Sequence, residues 1–450
     1  MKWNILAIGV LIGIVLSCGK TLEFKYPKEA EFLSKPFAAY PQTSFAVMTD
    51  LHFYDKSLGV TGTAYSNYLL EDRKLLTFSE ELLAAAVGKV AGMPAEFVII
   101  CGDLTKDGEK VCHEKVAASL ALIEASGKKV FVVPGNHDIN NPHAVKFDGE
   151  TKTPVESIDG EMFARMYGEF GFNEAIERDT NSLSYLAEPV PGLWLLCLDS
   201  TDHDENYKKG EPVTPGRFTQ ATIDWMEKLL HLAVVKDKAV IAVMHHGVVE
   251  HWTGQSRLHP EYLIDNYKEI AKMFAAYHVR TVFTGHYHAN DIALNSMENG
   301  EFVFDIETGS LVTYPCPVRT VAVGANQKME IETLYIDTIP GFDGDLKAYS
   351  KQYVSIGLEH IIHGKLKAFF VDEKEASIIA PLVVEGYLMH YAGEDTNTAY
   401  LAKVDGLSLW GGIVFENQKY VIEGVRVDLE PPDNKVVLDL TVGAWSLIGD

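Results

Sequence analysis

Five short segments of the 450-residue sequence place carboxylate, imidazole and amide side chains close together along the chain. The segments are Asp50-Leu51-His52, Gly102-Asp103, Gly135-Asn136-His137-Asp138, His245-His246 and Gly285-His286-Tyr287-His288. Such groups suit metals such as Zn, Mn or Fe, and the lack of thiolates argues against a closed structural zinc site. Each segment alone is also an ordinary turn or helix cap. A metal site therefore requires a fold that brings the five segments together.

Each segment follows an apolar run that is typical of a buried β-strand. The runs, with the polar residues that end them, read SFAVMTD, EFVIICGD, KKVFVVPGNHD, KAVIAVMHH and VRTVFTGH. Helical patterns near residues 71–90, 108–126 and 261–278 lie between them, and this alternation predicts a layered α/β fold. Open α/β sheets carry their chemistry at the carboxyl ends of strands. We therefore expect the five segments at that edge of the sheets.

The number of candidate ligands indicates two metal ions rather than one. Alternation along an extended chain puts Asp50 and His52 on the same side, as two ligands of one cation require. With Asp103, Asn136 and the later histidines, the donors exceed what one ion takes from a protein. Two metals that share a bridging carboxylate, roughly 3.5–4 Å apart, are used for in-line displacement at phosphorus. The pattern therefore points to chemistry at phosphorus.

In their order and spacing, these segments resemble the motifs of the calcineurin-like metallophosphoesterases, over about residues 44 to 337. The resemblance implies a four-layer α/β/β/α sandwich with a dinuclear metal site at the strand ends. It also implies an enzyme that hydrolyses phosphoesters with two divalent or trivalent metal ions, Fe, Mn or Zn. The residues carried over as ligands are Asp50, His52 and His288 for one metal, Asn136, His245 and His286 for the other, and Asp103 as the bridge.

The resemblance further implies catalytic roles for two residues that are not ligands. His137 would contact the transferring phosphate, and Asp138 would orient the His137 ring. Gly135 would let the chain bend so that His137 faces the substrate. In the pair after the fourth strand, His245 is the expected ligand and His246 the alternative.

The N-terminal segment MKWNILAIGVLIGIVLSCGK has a basic start and an apolar run that is short for a spanning helix. Its end resembles a bacterial lipobox. We expect a lipoprotein signal peptide over residues 1–17, a lipid on Cys18 and a tether over residues 18–43. The protein would then lie outside the cytoplasm, anchored to a bacterial membrane, and an uncleaved N-terminal anchor is the alternative. Of the four other cysteines, Cys101 and Cys197 lie in apolar, strand-like runs and are expected to be buried, with a disulfide as the alternative, and no cysteine is assigned a catalytic role.

The segment DTIPGFDGD predicts a domain boundary. We expect the metallophosphoesterase domain over residues 44–340 and a smaller, mainly helical C-terminal domain over residues 341–450. Short strands near residues 302–306, 318–325 and 328–337 are expected to be antiparallel and to close a second sheet. The C-terminal histidines His360, His363 and His390 lack an accompanying carboxylate cluster in the sequence, which favours packing over metal binding.

The net charge of −24 argues against binding to nucleic acid polymers. The lipobox, the stretches RDTNSLSY and HHGVVEHW, and the helical C-terminus are similar to those of secreted bacterial cyclic-nucleotide phosphodiesterase lipoproteins. The expected substrate is thus a small phosphodiester such as a 2′,3′-cyclic nucleotide. The alternatives are a general phosphomonoesterase and a non-catalytic, metal-containing binding lipoprotein. Candidate substrate contacts, which are otherwise plain loop residues, are Tyr54, His143, His251 and Arg257.

Overall fold

The computed structural model of the chain describes residues 22–449, so the predicted signal peptide and the lipid site at Cys18 lie outside the described residues. The strands are β1 Thr43–Met48, β2 Phe97–Ile100, β3 Lys129–Val132, β4 Val145–Asp148, β5 Thr151–Pro154, β6 Glu177–Arg178, β7 Tyr185–Val190, β8 Leu193–Cys197, β9 Ala239–Val243, β10 Thr281–Thr284, β11 Asp291–Ser296, β12 Phe302–Glu307, β13 Pro317–Val323, β14 Lys328–Tyr335, β15 Lys435–Asp439 and β16 Ala444–Leu447. The helices are α1 Ala30–Leu33, α2 Thr63–Glu71, α3 Ser79–Ala91, α4 Lys110–Ala125, α5 Gly160–Met166, α6 Asn206–Lys209, α7 Gln220–Lys236, α8 Gln255–Leu258, α9 Tyr267–Ala276, α10 Leu346–Ala368, α11 Glu373–Ala392 and α12 Leu409–Gly424.

Two mixed seven-stranded sheets form the centre of the molecule. The first has the order β16-β15-β14-β13-β1-β2-β3, and the second has the order β11-β12-β10-β9-β8-β7-β6. In the first sheet β1, β2 and β3 are parallel, and in the second β8, β9, β10 and β12 are parallel. The remaining pairs in both sheets are antiparallel. The expected mixed α/β architecture is confirmed.

The two sheets pack face to face, with helices on their outer faces. Phe45 of β1 lies edge-on to Phe283 of β10, with ring centroids 5.3 Å apart, so the main core joins the sheets. Leu83 of α3 and Val116 of α4 belong to that same core. A second core joins the outer face of the second sheet to α7 and α9. These layers give the expected α/β/β/α sandwich.

The parallel strands at the centre of each sheet are apolar because both of their faces are covered. Every residue of β2, β9 and β10 is buried. Since parallel strands end at the same edge of a sheet, the residues after β1, β2 and β3 emerge together. Those after β9 and β10 emerge together in the second sheet. The topology therefore places all five polar segments at strand ends.

Three local expectations differ from the structure. The helix expected over residues 71–90 is interrupted, because α2 ends at Glu71 and α3 begins at Ser79. The helix expected over residues 261–278 begins only at Tyr267. Strands β13 and β14 join the first sheet beside β1, and β12 lies parallel to β10 in the second sheet, so these strands do not form one sheet of their own.

The C-terminal region is mainly helical, as expected, and α10, α11 and α12 share a third apolar core. That core also contains Trp252, Tyr287 and Tyr314 from the region before residue 340. We did not expect β15 and β16, which extend the first sheet beyond β14. Whether residues 341–450 fold as a separate domain stays a prediction. Within residues 22–449, no helix has both the length and the apolar character needed to cross a bilayer.

Candidate dinuclear metal centre and active site

The first group of predicted ligands converges at the ends of β1, β2 and β10. Nε2 of His288 lies 3.2 Å from Oδ1 of Asp50 and 3.1 Å from Nε2 of His52. Nε2 of His52 lies 3.7 Å from Oδ1 of Asp50 and 3.5 Å from Oδ2 of Asp103. One donor atom from each of the four residues falls within 4.8 Å of the others. The four side chains can thus surround one cation.

The second group shares Asp103 with the first. Nε2 of His245 lies 3.4 Å from Oδ2 of Asp103 and 3.3 Å from Oδ1 of Asn136. His286 completes a set of three donors with Asp103 and His245. Because the same Asp103 oxygen faces His52 on one side and His245 on the other, this carboxylate lies where a bridge between two cations is needed.

The backbone at these positions is strained. Most residues with side chains avoid the left-handed region, and such strain is maintained mainly at functional sites. The candidate ligands with φ between 36° and 75° are Asp50, His52, Asp103, His286 and His288. The fold therefore holds these side chains in position at an energetic cost that ordinary turns avoid.

Two glycines let the strand ends approach each other. Gly102 has a φ of +93°, and a side chain there would meet His245 at 2.7 Å. A Cβ at Gly135 would lie 2.1 Å from Oδ1 of Asp103, which is too close for two atoms that are not bonded to each other. Both positions therefore require glycine. At Gly135 the reason is the close approach of the Asp103 carboxylate, and not the bend of the chain that was expected there.

The donor set fits metal ions on several grounds. Asp50 and His52 are fully buried, and Oδ1 of Asp50 has no hydrogen-bond partner. Buried charges of this kind are paired or coordinate metals. The donor separations of 3.1–3.7 Å resemble the roughly 3 Å edges of a coordination shell with bonds of about 2.0–2.2 Å. Imidazole, carboxylate and amide donors are those of Zn, Mn or Fe sites.

The charges around Asp103 favour a cation there. Burial would raise the pKa of Asp103, but His245 and His137 hold that pKa well below its usual range. Burial would likewise lower the pKa of His245, yet the Asp103 and Asp50 carboxylates raise it to about 9. Burial and the Lys74 ammonium lower the pKa of His52 to about 3. The Asp103 carboxylate therefore stays ionised and stabilises positive charge on the groups next to it.

His246, the alternative ligand, has other partners. Its Nδ1 lies 2.8 Å from the Ser200 hydroxyl, and its Nε2 lies 2.8 Å from the carbonyl oxygen of Thr214. Both ring nitrogens are therefore engaged away from the metal cluster, and the structure places His245 there instead.

His137 stands beside the metal cluster with its ring held by Asp107. Nδ1 of His137 lies 2.9 Å from Oδ1 of Asp107, and its backbone N–H donates to Oδ1 of Asp103 at 2.9 Å. Lys106 pairs with Asp107 and keeps that carboxylate charged. About a fifth of the His137 side chain is exposed, at 22%. A ring so held can face a substrate with its other nitrogen, Nε2.

The predicted orienting role of Asp138 is corrected by these contacts. The Asp138 carboxylate instead accepts hydrogen bonds from the backbone N–H groups of Leu104, Thr105 and Gly135, at 2.9 to 3.1 Å. Burial, with the Asp103 charge, raises the pKa of Asp138 to about 7. Asp138 therefore fixes the two loops that carry Asp103 and His137, and Asp107 orients the ring.

Comparison with known families agrees with this geometry. Residues 43–290, more than half of the chain, match the family model described as calcineurin-like phosphoesterase. The chain belongs to the calcineurin-like phosphoesterase family. It is therefore a metal-dependent hydrolase, and the family uses two metal ions.

Solved structures of similar fold are distant. A dimetal phosphatase from Danio rerio is 15% identical, with 66% of this chain and 97% of that chain covered and a TM-score of 0.46. A purple acid phosphatase from yellow lupin (Lupinus luteus) seeds is 13% identical, with 68% and 54% covered and a TM-score of 0.39. A 5′-nucleotidase precursor from Thermus thermophilus is 11% identical, with 77% and 66% covered and a TM-score of 0.35. No curated protein matches the chain significantly.

The phosphoesterase site contains basic residues that we did not expect from the sequence. A pocket of about 200 Å³ in front of the metal cluster is lined by His137 and His288 together with Arg73 and Lys74. Arg73 and Lys74 lie in the loop between α2 and α3, where one helix was expected. The run EDRKLL gave no sign of the interruption. Asp107 was equally missed, although it lies only four residues after Asp103.

An apolar cavity of about 560 Å³ adjoins this pocket beneath the C-terminal helices. Arg73, Tyr262 and Tyr287 line both spaces. The aliphatic and aromatic lining includes Leu358, Ile362, Leu366, Ile379, Val414 and Phe415. The phosphoesterase thus has a polar pocket at its metal cluster and, beside it, an apolar cavity that shares part of its wall.

The four candidate substrate contacts lie in different environments. Tyr54 is buried and donates its hydroxyl hydrogen to the carbonyl oxygen of Gly59, and His251 is buried against Asp291. His143 is exposed and does not line the pocket. Arg257 lines the apolar cavity. Of the four, only Arg257 lies where it can approach a substrate.

Proposed function

We propose that the protein hydrolyses a small phosphodiester, one of whose groups is apolar or aromatic. The observation that carries this proposal is that the metal-side pocket and the apolar cavity lie side by side and share the lining residues Arg73, Tyr262 and Tyr287. A phosphate held beside His137 can place one substituent in the cavity. An inorganic phosphate or a simple monoester would leave that space unused.

The residues of the pocket have separate tasks in this reaction. Metal ions held by the seven ligands would withdraw electron density from phosphorus and lower the pKa of water. Lys74 and Arg73 supply positive charge to the phosphate oxygens. His137, oriented by Asp107, can donate a proton to the departing oxygen.

A cyclic nucleotide is the first candidate substrate. Its phosphate is a small diester with one negative charge, and its base has an aromatic face. Tyr262 and Tyr287 lie with ring centroids 4.8 Å apart at the junction of the two spaces, and such rings stack with bases. The acidic chain, with a net charge of −24, disfavours a long nucleic acid.

A general phosphomonoesterase is the second candidate, and one observation favours it. Two cationic side chains, Arg73 and Lys74, line the metal-side pocket, together with Glu71 and with Asp72, whose Oδ2 lies 3.5 Å from the Lys74 ammonium. A monoester carries up to two negative charges at neutral pH, so it would gain more than a diester from two cations. The relative rates of the two substrate classes decide between the candidates.

The site of action is proposed from the N-terminal sequence alone. A lipid on Cys18 would hold the enzyme on a bacterial membrane outside the cytoplasm, with residues 18–43 as the tether. Fatty-acid labelling of the wild-type protein, absent from the Cys18→Ala variant, is the expected result. Equal labelling of both would overturn the proposal.

The substrate proposal is tested with two diesters that share one leaving group, together with two further substrates. Methyl and octyl p-nitrophenyl phosphate differ only in the apolar group, and 2′,3′-cyclic AMP and p-nitrophenyl phosphate complete the panel. We expect kcat/KM to be higher for the octyl than for the methyl ester if alkyl groups enter the cavity. A preference for the cyclic nucleotide over both indicates stacking of a base.

A cavity variant makes the test specific. Val383 lines the cavity and is half-buried, so Val383→Phe should fill the space without removing core contacts. Its effect should be a several-fold higher KM for the favoured large substrate and no change for the methyl ester. The matched control is Val235→Phe on the exposed face of α7. Preference for p-nitrophenyl phosphate would support the monoesterase, and no turnover of any ester would support a binding protein.

A further inference from the structure

A second cluster of ionisable side chains lies outside the seven metal ligands. It joins Asp291 at the start of β11, His390 near the end of α11, and Asp395 in the loop that follows. Nδ1 of His390 lies 3.4 Å from Oδ2 of Asp291 and 3.3 Å from Oδ2 of Asp395. All three side chains are at most 1% exposed. The expectation that His390 has no carboxylates around it is therefore wrong.

Several polar atoms of this cluster lack hydrogen-bond partners. They are Oδ2 of Asp291, Oδ1 of Asp395 and Nε2 of His390. Native proteins leave few buried polar atoms unsatisfied, and each such atom calls for an unseen partner or a functional reason. Oδ2 of Asp291 and the Asp395 carboxylate lie on the Nδ1 side of the His390 ring, so their unused acceptor positions indicate a missing common partner there, whereas Nε2 of His390 lies on the other side of the ring and cannot bind the same ion.

Negative charge around the cluster exceeds the positive charge. Asp433 is buried nearby, and burial, reinforced by Asp291 and Asp395, raises the pKa of Asp428 to about 7. The cationic groups that face the cluster are His251, whose Nδ1 lies 2.5 Å from Oδ1 of Asp291, His390 itself, and the buried Arg319, whose charge acts on Asp291, Asp433 and a further buried carboxyl, Glu307. Burying several carboxylates together is energetically unfavourable unless a cation offsets their charge.

We propose that Asp291, His390 and Asp395 bind a third metal ion, with Zn²⁺ as the best-matched species. A tetrahedral zinc site with bonds of about 2.0–2.1 Å has donor–donor edges of roughly 3.3 Å. The two separations from His390 are 3.3 and 3.4 Å, and one histidine with two carboxylates leaves a fourth position for water. The ligand set shares no residue with the dinuclear centre.

The third ion would join the C-terminal helices to the catalytic strands. Asp291 begins the strand that directly follows the loop of His286 and His288, whereas the two other ligands belong to the C-terminal region. The Tyr287 ring lies 5.6 Å from the His390 ring and also lines the apolar cavity. The ion would therefore fix the position of the cavity wall as well as the fold.

Metal content of the purified protein tests the proposal. Protein stripped of metal, saturated with Zn²⁺ and desalted should contain three Zn²⁺ ions per chain by inductively coupled plasma mass spectrometry. His390→Asn and Asp395→Asn should each contain two. Glu394→Gln, which changes the exposed neighbour of Asp395, is the matched control and should contain three.

A crystal of the zinc-loaded wild-type protein provides the measurement that does not depend on variants. Anomalous scattering at the zinc edge should show three peaks, one of them among Asp291, His390 and Asp395. Two peaks at the dinuclear centre and none at this cluster would overturn the proposal. Three ions retained in both variants would overturn it equally, and the cluster would then be an ion-pair network around a protonated His390.

Discussion

Single residues decide the chemistry at the metal-side pocket, and the most informative of them is Asp107. The sequence motif placed Asp138 next to His137, which made Asp138 the natural partner of the ring. In the structure the chain turns between them, and the loop after β2 brings Asp107 to Nδ1 of His137 at 2.9 Å. Ligand identities followed from residue types at strand ends, whereas this pairing depends on how two loops pack.

The role of Asp107 leads to a prediction. Asp107→Asn removes the charge that orients the His137 ring and stabilises its protonated form, so kcat should fall about 10–100-fold while both metals remain. Steady-state kinetics with metal analysis of the same preparation measures this. Asp148→Asn, on an exposed strand, is the control. A normal kcat in Asp107→Asn would contradict the role.

At the scale of elements, the strands were easier to predict than the helices. The apolar runs before the five segments became β1, β2, β3, β9 and β10 because buried parallel strands need no alternation. The helix expected over residues 71–90 was wrong in its first part, since Asp72, Arg73 and Lys74 form a loop that faces the pocket and α3 begins only at Ser79.

Helix α4 carries a buried histidine that should affect stability. Burial lowers the pKa of His113 to about 3, and the ring lies 2.8 Å from the Tyr167 hydroxyl. The folded protein keeps this ring neutral, whereas the unfolded chain takes up a proton below about pH 6.5. The contribution of His113 to the free energy of unfolding is therefore fully present above pH 6.5. It is lost as the pH falls towards 3, by at most about 1.4 kcal/mol per pH unit.

Urea unfolding at pH 7, 6 and 5 measures this contribution. The free energy of unfolding should fall less steeply with decreasing pH in His113→Gln than in the wild type. His360→Gln, at an exposed position of α10, should behave as the wild type does. Equal slopes for the wild type and His113→Gln would show that His113 does not cause the acid sensitivity.

At the scale of the whole molecule, the C-terminal region contacts the catalytic sheets in several places, of which two involve the first sheet. Leu438 of β15 pairs with Met329 of β14, and both belong to the main core. The side chain of Arg319, buried in β13, donates to the carbonyl oxygen of Asp433 at 2.7 Å. The sequence pattern did not predict β15 and β16, because two short strands after a helical region are difficult to distinguish from an irregular C-terminal segment.

This connection predicts the outcome of truncation. A chain that ends at Asp337 loses β15 and the third core, so it should expose the β14 edge and fail to fold cooperatively. Soluble yield and thermal unfolding are the measurements, and removal of only residues 448–450 is the control. A soluble, cooperatively folding fragment that keeps two metals would instead support an independent C-terminal domain.

At the dinuclear site that hydrolyses phosphoesters, we expect His137 to be a catalytic residue that is not a metal ligand. The most direct test is the kcat of His137→Ala on 2′,3′-cyclic AMP, whose departing ribose oxygen needs a proton, with metal content measured in the same preparation and His143→Ala as the control on the same loop. We expect two retained metals at the dinuclear centre and a kcat about 10²–10⁴-fold lower than that of the wild type. Full activity in His137→Ala would contradict the account.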